Sequence, residues 1–166
     1  MSTILNTGGD QVALPVPVNK EMSCAVIVAR WNSKITEALR DAALRTFEEA
    51  GVTMDNVEVI YVPGTIELVN AAAYAMRTHD AVIIIGCVIR GDTPHFDYVC
   101  HVAAEGTAIL NAKGESPVIF GVLTCENMQQ ALDRAGGELG NKGSEAAVAA
   151  IEMANLHAAS ITDETA

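Results

Sequence analysis

Four short apolar runs recur along the chain, and longer segments with apolar residues at helical spacing separate them. Two of these runs, Cys24–Ala29 and Ala81–Ile89, contain no charged residue, which predicts strands buried on both faces of a parallel sheet. The predicted strands are Cys24–Ala29, Val57–Val62, Ala81–Ile89 and Pro117–Leu123, and the predicted helices lie between Asn32 and Gly51 and over Ile66–Met76, His95–Ala112, Glu126–Arg134 and Ser144–Ala159.

The order of these elements predicts the fold class. Strands that alternate with helices of about four turns need right-handed crossovers, which give a parallel sheet. We therefore expect an α/β protein, a flavodoxin-like three-layer αβα sandwich around a four-stranded parallel sheet. The side-chain oxygens of Asn32, Ser33 and Thr65 are candidate helix caps. The pair Gly136-Gly137 is expected to break the chain before the last helix.

One domain is expected to account for most of the chain. A chain of 166 residues suits a single domain, for which we expect the bounds 21–160. Residues 1–20 contain Pro15 and Pro17 and predict an extended arm, with a disordered leader as the alternative. Residues 161–166 are expected to form a short C-terminal tail.

Charge and composition exclude several classes of partner and site. The formal net charge of −11 repels nucleic acid and anionic membranes, so neither is an expected partner. No apolar run is long enough to span a bilayer and no signal peptide is evident, which predicts a cytoplasmic protein. The four cysteines form no CxxC pair, which favours free thiols over a disulfide framework or a zinc site.

Parallel sheets bind ligands at the carboxyl ends of their strands, so the residues that follow each strand are the candidates for a site. Trp31 follows the first strand, where its ring either stacks on a planar heterocycle or packs beside the helix start. After the second strand, Pro63-Gly64 predicts a tight turn that a ligand can approach closely. Glu67 comes next, either as a partner of the helix dipole or as an acceptor for a polyol or ring N–H.

The third strand leads into the densest polar loop of the chain, Arg90–Pro94. Gly91, Thr93 and the start of the next helix form a candidate nest for an anion. His95 opens that helix, where it either transfers protons near neutral pH or serves as a surface cap.

Basic residues are rare in the C-terminal third, which makes Arg134 and Lys142 notable. Arg134 ends a short helix, where it either complements the helix dipole or binds phosphate through its two-pronged guanidinium. Phe120 lies within the fourth strand and lines either a pocket or the core. No P-loop, GxGxxG fingerprint or nucleophile elbow occurs in the sequence.

Five segments then identify a family by resemblance. The chain resembles the 6,7-dimethyl-8-ribityllumazine synthase family over about residues 22–156. Members join 5-amino-6-(D-ribitylamino)uracil to 3,4-dihydroxy-2-butanone 4-phosphate and release phosphate and water, without a metal or an organic cofactor. This is the penultimate step of riboflavin biosynthesis. The segments are, in order, ARWNSKI, VPGTIELV, GCVIRGDTPHFDYVC, VIFGVLTCEN and RAGGELGNKG.

The resemblance implies roles for the residues singled out above. It implies that His95 transfers protons and that Asp92 turns its carboxylate away from the bound phosphate. Many relatives have Phe where this chain has Ile66, which implies looser packing of the substrate ring there. The implied pyrimidine and ribityl site comprises Trp31, Thr65, Ile66, Glu67, Cys87, Val88, Ile89 and Phe120, and the implied phosphate site comprises Asp92, Thr93, Arg134 and Lys142.

The resemblance also implies an assembly. Relatives form pentamers with active sites between adjacent subunits, so Phe120 and Arg134 would come from the neighbouring chain. In many bacteria twelve pentamers form a 60-subunit shell, and the chain lacks the insertions of relatives that stop at pentamers. The N-terminal arm would add a strand to the neighbour's sheet. Riboflavin synthase is a further expected partner.

Three other functions remain open at this point. The chain could store or carry a flavin or lumazine without catalysis, serve only as a shell subunit, or act as an archaeal-type riboflavin synthase. His95 together with Arg134 disfavours the first two, because neither role needs a proton carrier. Product formation from lumazine alone would favour the third.

Overall fold

Four parallel strands form the central sheet in a computed structural model that describes residues 14–17 and 19–163. The strands are β1 (Cys24–Ala29), β2 (Val57–Val62), β3 (Ala81–Ile89) and β4 (Val118–Cys125). Their order across the sheet is β2-β1-β3-β4, and every pair is parallel. The predicted α/β class and four-stranded parallel sheet are therefore confirmed.

Five helices connect and cover the strands. They are α1 (Ser33–Ala50), α2 (Thr65–Ala75), α3 (His95–Asn111), α4 (Met128–Arg134) and α5 (Lys142–Asp163), and a single 3-10 turn, Met54–Asn56, precedes β2. Gly51 ends α1 in the left-handed conformation, φ 83°, as a glycine after a helix allows.

The core lies on both faces of the two central strands. All six residues of β1 are buried, and so are the first seven of β3. On one face, alternate side chains of β1 and β3 pack in one cluster with residues of α1 and α5, and on the other face the remaining side chains pack with α2 and α3. This arrangement confirms the three-layer prediction, and full burial of each aliphatic side chain contributes about 1.5–3 kcal/mol.

The outer strands differ from the inner ones because each has a partner on one side only. β2 pairs with β1, and its residues Glu58 and Tyr61 are exposed. β4 pairs with β3, and its residue Phe120 is exposed at the opposite edge of the sheet. Within the described part of the chain, both edges of the sheet are therefore open.

The predicted side-chain caps fail: Asn32 does occupy the N-cap position of α1 but makes no side-chain cap bond, and Ser33 and Thr65 are not in cap positions. Asn32 adopts the left-handed conformation (φ 59°, ψ 43°), and its carboxamide donates to the Cys87 carbonyl oxygen at 2.8 Å instead of capping α1. Ser33 is already the first residue of α1, and Thr65 is likewise the first residue of α2, with Gly64 in the cap position.

The segment before the last helix also differs from the prediction. Gly136-Gly137 does not simply break the chain, because Ala135–Gly137 (β5) pairs antiparallel with Gly140–Asn141 (β6). Two neighbouring boundaries shift as well. β4 continues to Cys125, and α4 begins only at Met128, since the Asn127 side chain caps it by accepting from Gln130 N at 3.0 Å.

Most of the predicted N-terminal arm lies outside the described residues. Of the described part, the Val16 carbonyl oxygen accepts a hydrogen bond from Asn155 Nδ2 at 3.0 Å, which ties this segment to α5. At the other end, α5 continues to Asp163, into the segment expected to be a tail. No described helix is long and apolar enough to cross a membrane.

Close contact between α1 and the start of α5 places the last helix on the sheet. Asn141 joins the two, since its Nδ2 donates to Ala38 O at 3.2 Å and its Oδ1 accepts from Gly143 N at 2.8 Å. A Cβ atom at Gly143 would lie 1.9 Å from the carbonyl oxygen of Leu39 and 2.6 Å from its carbonyl carbon. Only glycine therefore fits at Gly143 without a backbone shift.

The substitution Gly143→Ala is expected to destabilise the fold, because its methyl group would push α5 off the α1 backbone. Overpacking of this kind costs about 1–3 kcal/mol, and a chain of this size loses about 2–4 °C in Tm per kcal/mol. Scanning calorimetry measures the shift. Gly91→Ala is the matched control, since a Cβ there meets no atom within 4 Å. Equal Tm values for the two variants would contradict the packing argument.

Candidate active site

A cavity of about 600 Å³ opens at the carboxyl ends of β1, β2 and β3. The parallel sheet produces this cavity, because the turns that follow these strands all lie on the same side of the sheet, at the carboxyl ends. The cavity is lined by Trp31, Asn32, Pro63, Gly64, Thr65, Ile66, Glu67, Cys87, Val88, Ile89, Gly91, Thr93, His95, Phe96 and Val99.

Trp31 presents its ring to this cavity. The side chain is 74% exposed although it is the only tryptophan of the chain, so it is not packed beside the helix start. The left-handed turn at Asn32 reverses the chain directly after it, and the bond from Asn32 to the Cys87 carbonyl ties that turn to the end of β3. The turn next to Trp31 is therefore fixed to the sheet, and the exposed ring at the cavity is available for stacking.

The start of α2 forms a second wall. The first N–H groups of a helix have no partner within it, and Thr65, Ile66 and Glu67 supply them at the cavity. Thr65 is buried against β3, where a Cβ atom at Gly86 would lie 3.0 Å from its Oγ1. Gly86 thus lets the helix start approach the sheet closely, and this approach brings polar N–H groups and the Glu67 carboxylate to the cavity.

The end of β3 forms the floor. The Cys87 side chain is 2% exposed, and burial, followed by the nearby Cys125 thiol, raises the pKa of Cys87 to about 12. Its thiol is therefore neutral at pH 7 and is no nucleophile, since the thiolate is the reactive form. Val88 and Ile89 continue the floor with partly buried side chains. These residues offer an apolar surface and backbone groups to a ligand.

The loop after β3 brings a third set of residues. Thr93 and His95 line the cavity, and His95 is the first residue of α3, directly after Pro94. Asp92 is exposed and is not part of the cavity wall, so its carboxylate does not face a ligand bound there. Among the described residues, Glu67 supplies the only carboxylate of the wall.

A second cavity, of about 330 Å³, lies along the edge strand β4 and shares no residue with the first. Phe120, Arg134 and Lys142 line it together with Glu145. Lys142 Nζ lies 2.5 Å from Glu145 Oε1, so much of its charge is already paired. Arg134 Nη1 donates to the Gln130 carbonyl oxygen at 2.9 Å, which leaves most of its guanidinium donors for another acceptor.

Comparison with known proteins identifies the family. The family profile described as 6,7-dimethyl-8-ribityllumazine synthase matches residues 21–158. The chain belongs to this family. It is 52% identical to the 6,7-dimethyl-8-ribityllumazine synthase of Porphyromonas gingivalis over 158 residues, which cover 94% of this chain and 98% of the relative.

Two further lumazine synthases give the same result. The protein of Bacteroides fragilis is 52% identical over 134 residues, or 80% of this chain and 94% of the relative. The protein of Phocaeicola vulgatus is 46% identical over 155 residues, or 92% of each. The similarity therefore extends over nearly the whole lumazine synthase chain and is not confined to one motif.

Within this lumazine synthase fold, the predicted site residues divide into two groups. The first cavity brings together Trp31, Thr65, Ile66, Glu67, Cys87, Val88, Ile89, Thr93 and His95. The second brings together Phe120, Arg134 and Lys142, and Asp92 belongs to neither. Within one chain, Arg134 and His95 therefore line different cavities.

Three cavity residues were not predicted from the sequence. Asn32 had a signal, since asparagine is the residue after glycine that best tolerates the left-handed conformation, but it was assigned to a cap. Phe96 and Val99 had none, because an apolar residue on an amphipathic helix equally well faces the core.

Proposed function

We propose that this chain condenses 5-amino-6-(D-ribitylamino)uracil with 3,4-dihydroxy-2-butanone 4-phosphate to 6,7-dimethyl-8-ribityllumazine. The observation that carries the proposal is a single cavity that combines an exposed indole, free helix N–H groups and a histidine. An apolar wall with few polar groups suits a planar heterocycle with a polyol chain. Membership of the lumazine synthase family fits this cavity.

The pyrimidine substrate is assigned to the part of the cavity between β1, α2 and β3. Trp31 stacks on its ring, and the neutral Cys87 side chain with Val88 forms the opposite apolar surface. The Glu67 carboxylate accepts from ring N–H or ribityl hydroxyl groups, and the start of α2 donates to their oxygens.

Proton transfer is assigned to His95. The substrate amine attacks the ketone of the butanone phosphate and loses water to give an imine. Phosphate then leaves, the resulting enol tautomerises, and the second amine closes the ring with loss of water. Each step moves a proton on the butanone-derived carbon chain, on its oxygens or on an attacking amine, and His95 lies where that substrate would meet the pyrimidine. Binding both reactants in one cavity supplies much of the remaining acceleration.

The phosphate is assigned to two chains. Gly91 and Thr93 of the first cavity offer an anion nest, but no lysine or arginine lies among the described residues of that wall. The guanidinium donors are in the second cavity, at Arg134. Arg134 and Phe120 of a neighbouring subunit would therefore complete the site, and Lys142, paired with Glu145, would contribute less than a free lysine.

We further propose that the chain forms pentamers and that twelve pentamers form a 60-subunit shell, as the family resemblance implies. The open edge of β2 lies beside a groove of about 580 Å³ in which Ile60 and Tyr74 provide apolar surface. A neighbour's extended arm could pair with this edge by β-augmentation. The exposed Tyr98, Val102 and Ile109 of α3 offer a further apolar contact surface. The cytoplasmic location and the association with riboflavin synthase stay predictions.

The first test removes the proton carrier. His95→Ala is expected to lower kcat by about 10²–10⁴-fold, the usual contribution of general acid–base catalysis, without abolishing turnover. Lumazine absorbance and released phosphate measure the rate. His101→Ala is the matched control, because His101 lies on the same helix with 78% of its side chain exposed. An unchanged rate in His95→Ala would refute the assignment of His95.

The second test removes the phosphate ligand. Arg134→Ala is expected mainly to raise the apparent KM for the butanone phosphate, because its guanidinium would bind the substrate's anionic group. Steady-state kinetics with each substrate varied in turn separate this effect from a change in kcat. Arg45→Ala removes the same charge from the exposed face of α1 and controls for net charge. An unchanged KM would refute the phosphate assignment.

Mixed assemblies test whether the site is shared. Subunits with His95→Ala and subunits with Arg134→Ala, unfolded and refolded together, would include sites with an intact His95 from one chain and an intact Arg134 from the next. Such mixtures are expected to exceed the summed rates of the separate variants at a low concentration of butanone phosphate. Simple addition of the two rates would place both residues in one chain's site.

A fourth prediction concerns the mass of the assembled particle. Light scattering is expected to show a 60-subunit shell of chains of 17.4 kDa, with a mass of roughly one megadalton. A single species of about 87 kDa, five chains of 17.4 kDa, would exclude the shell but keep the shared site. An active species of 17.4 kDa would exclude both.

A further inference from the structure

The loop that carries Thr93 and His95 is exposed along its whole length, over residues 90–95. It begins where β3 and β4 separate, since Arg90 N still donates to Cys125 O at 2.9 Å. An exposed loop is mobile unless other groups hold it. The position of the proton carrier therefore depends on what ties this loop and the start of α3 to the sheet.

Arg90 provides this tie. Its Nε donates to Glu126 Oε2 at 2.8 Å, just beyond the end of β4. Its two terminal nitrogens donate to Asp97 Oδ1 at 3.1 Å and Oδ2 at 3.4 Å, in the first turn of α3. The guanidinium carbon also lies 4.1 Å from the centre of the Phe96 ring. One planar group thus connects three segments of the chain.

Two of the three residues that the Arg90 side chain contacts, Phe96 and Asp97, directly follow His95. Phe96 lines the first cavity, and Asp97 lies on the same first turn of α3 as His95. The positions of these two residues therefore set the position of the His95 side chain at the cavity. Arg90 itself is not part of the cavity wall, and two carboxylates occupy its guanidinium. Direct binding of the substrate phosphate by Arg90 would require it to leave both of them.

We infer that Arg90 is a positioning residue, which acts through Phe96 and Asp97 to hold His95 and Thr93 at the cavity. The inference rests on the proposed function, because it assigns His95 the proton transfers. A misplacement of about 1 Å at a reacting group costs on the order of a hundredfold in rate. Loss of the Arg90 contacts on an otherwise exposed loop is therefore expected to lower kcat more than it lowers the stability of the fold.

Arg90→Lys is the informative variant. Lysine keeps the positive charge but cannot donate two parallel bonds to Asp97 or stack its head group flat on Phe96. We expect kcat to fall about tenfold or more, with the KM for the pyrimidine unchanged, because that substrate is assigned to Trp31 and the start of α2. A merely structural role would lower the amount of folded protein and leave kcat of the folded fraction intact.

The matched control is Arg40→Lys. Arg40 also pairs with a carboxylate, that of Asp41, and lies 5.9 Å from the ring centre of Tyr61, but it belongs to α1 and not to the loop. Its replacement is expected to leave both kinetic constants unchanged. Equal losses in the two variants would overturn the inference, because they would reflect a general effect of exchanging arginine for lysine.

A double-mutant cycle tests whether Arg90 affects kcat through its contact with Asp97. If Arg90 acts largely through Asp97, the double variant Arg90→Lys/Asp97→Asn is no slower than Arg90→Lys alone. Two losses that simply multiply would overturn the coupling. Amide hydrogen exchange over residues 91–97 adds a readout that needs no activity, and we expect faster exchange in Arg90→Lys.

The outcomes separate the two proposals. Unchanged exchange in Arg90→Lys, or faster exchange with unchanged kcat, would overturn the role of Arg90 while the wild-type chain still forms lumazine. A wild-type chain that forms no lumazine from both substrates would instead overturn the proposed function, and the inference about Arg90 would fail with it. Faster exchange with a lower kcat and an unchanged pyrimidine KM would support both.

Discussion

Burial of β1 and β3 on both faces is the constraint on which the rest of the structure depends. A strand with apolar side chains on both faces has to lie between two layers of helices, and parallel strands need a helix to return the chain. Both requirements make every crossover helix start at the carboxyl end of one strand and lead back to the amino end of the next. The turns after β1, β2 and β3 therefore meet at the carboxyl ends of the strands, so the hydrophobic pattern of the core also fixes where the polar residues gather.

The two cavities divide the chemistry by charge. The first has one carboxylate and one histidine in its wall, and the second has two cations and one carboxylate. A reaction that starts from a phosphorylated substrate needs both kinds of group at one place. Because β4 lies at an open edge of the sheet, the second cavity is accessible to another subunit without any change in the fold. The division therefore agrees with a site formed between chains, which the kinetics of mixed assemblies can decide.

The fold was predictable because its signals are periodic and extend over many residues. The two buried strands and the helices between them follow from runs of six to nine apolar residues. Caps and turns depend on single side chains that can form any of several hydrogen bonds. The predictions of side-chain caps failed for this reason. Asn32 has a side-chain oxygen that can cap a helix, but its side chain is oriented so that the amide donates to the carbonyl oxygen of Cys87, 55 positions away. The hairpin β5–β6 was missed since it has only five residues and no apolar pattern.

The position of the candidate site in the fold was predictable for the same reason, while the roles of its residues stay predictions. Residues at strand ends could be located from the strands, but contacts between side chains distant in sequence could not. Arg90 illustrates the limit, because the sequence of this polar loop does not show which side chains Arg90 pairs with. In the structure two carboxylates, those of Asp97 and Glu126, pair with its guanidinium. If Arg90 is a positioning residue, as we infer, its guanidinium is occupied and is no cation for the phosphate. If the neighbour's Arg134 supplies that cation, catalysis becomes dependent on assembly, and isolated chains would hold the pyrimidine but bind its phosphorylated partner weakly.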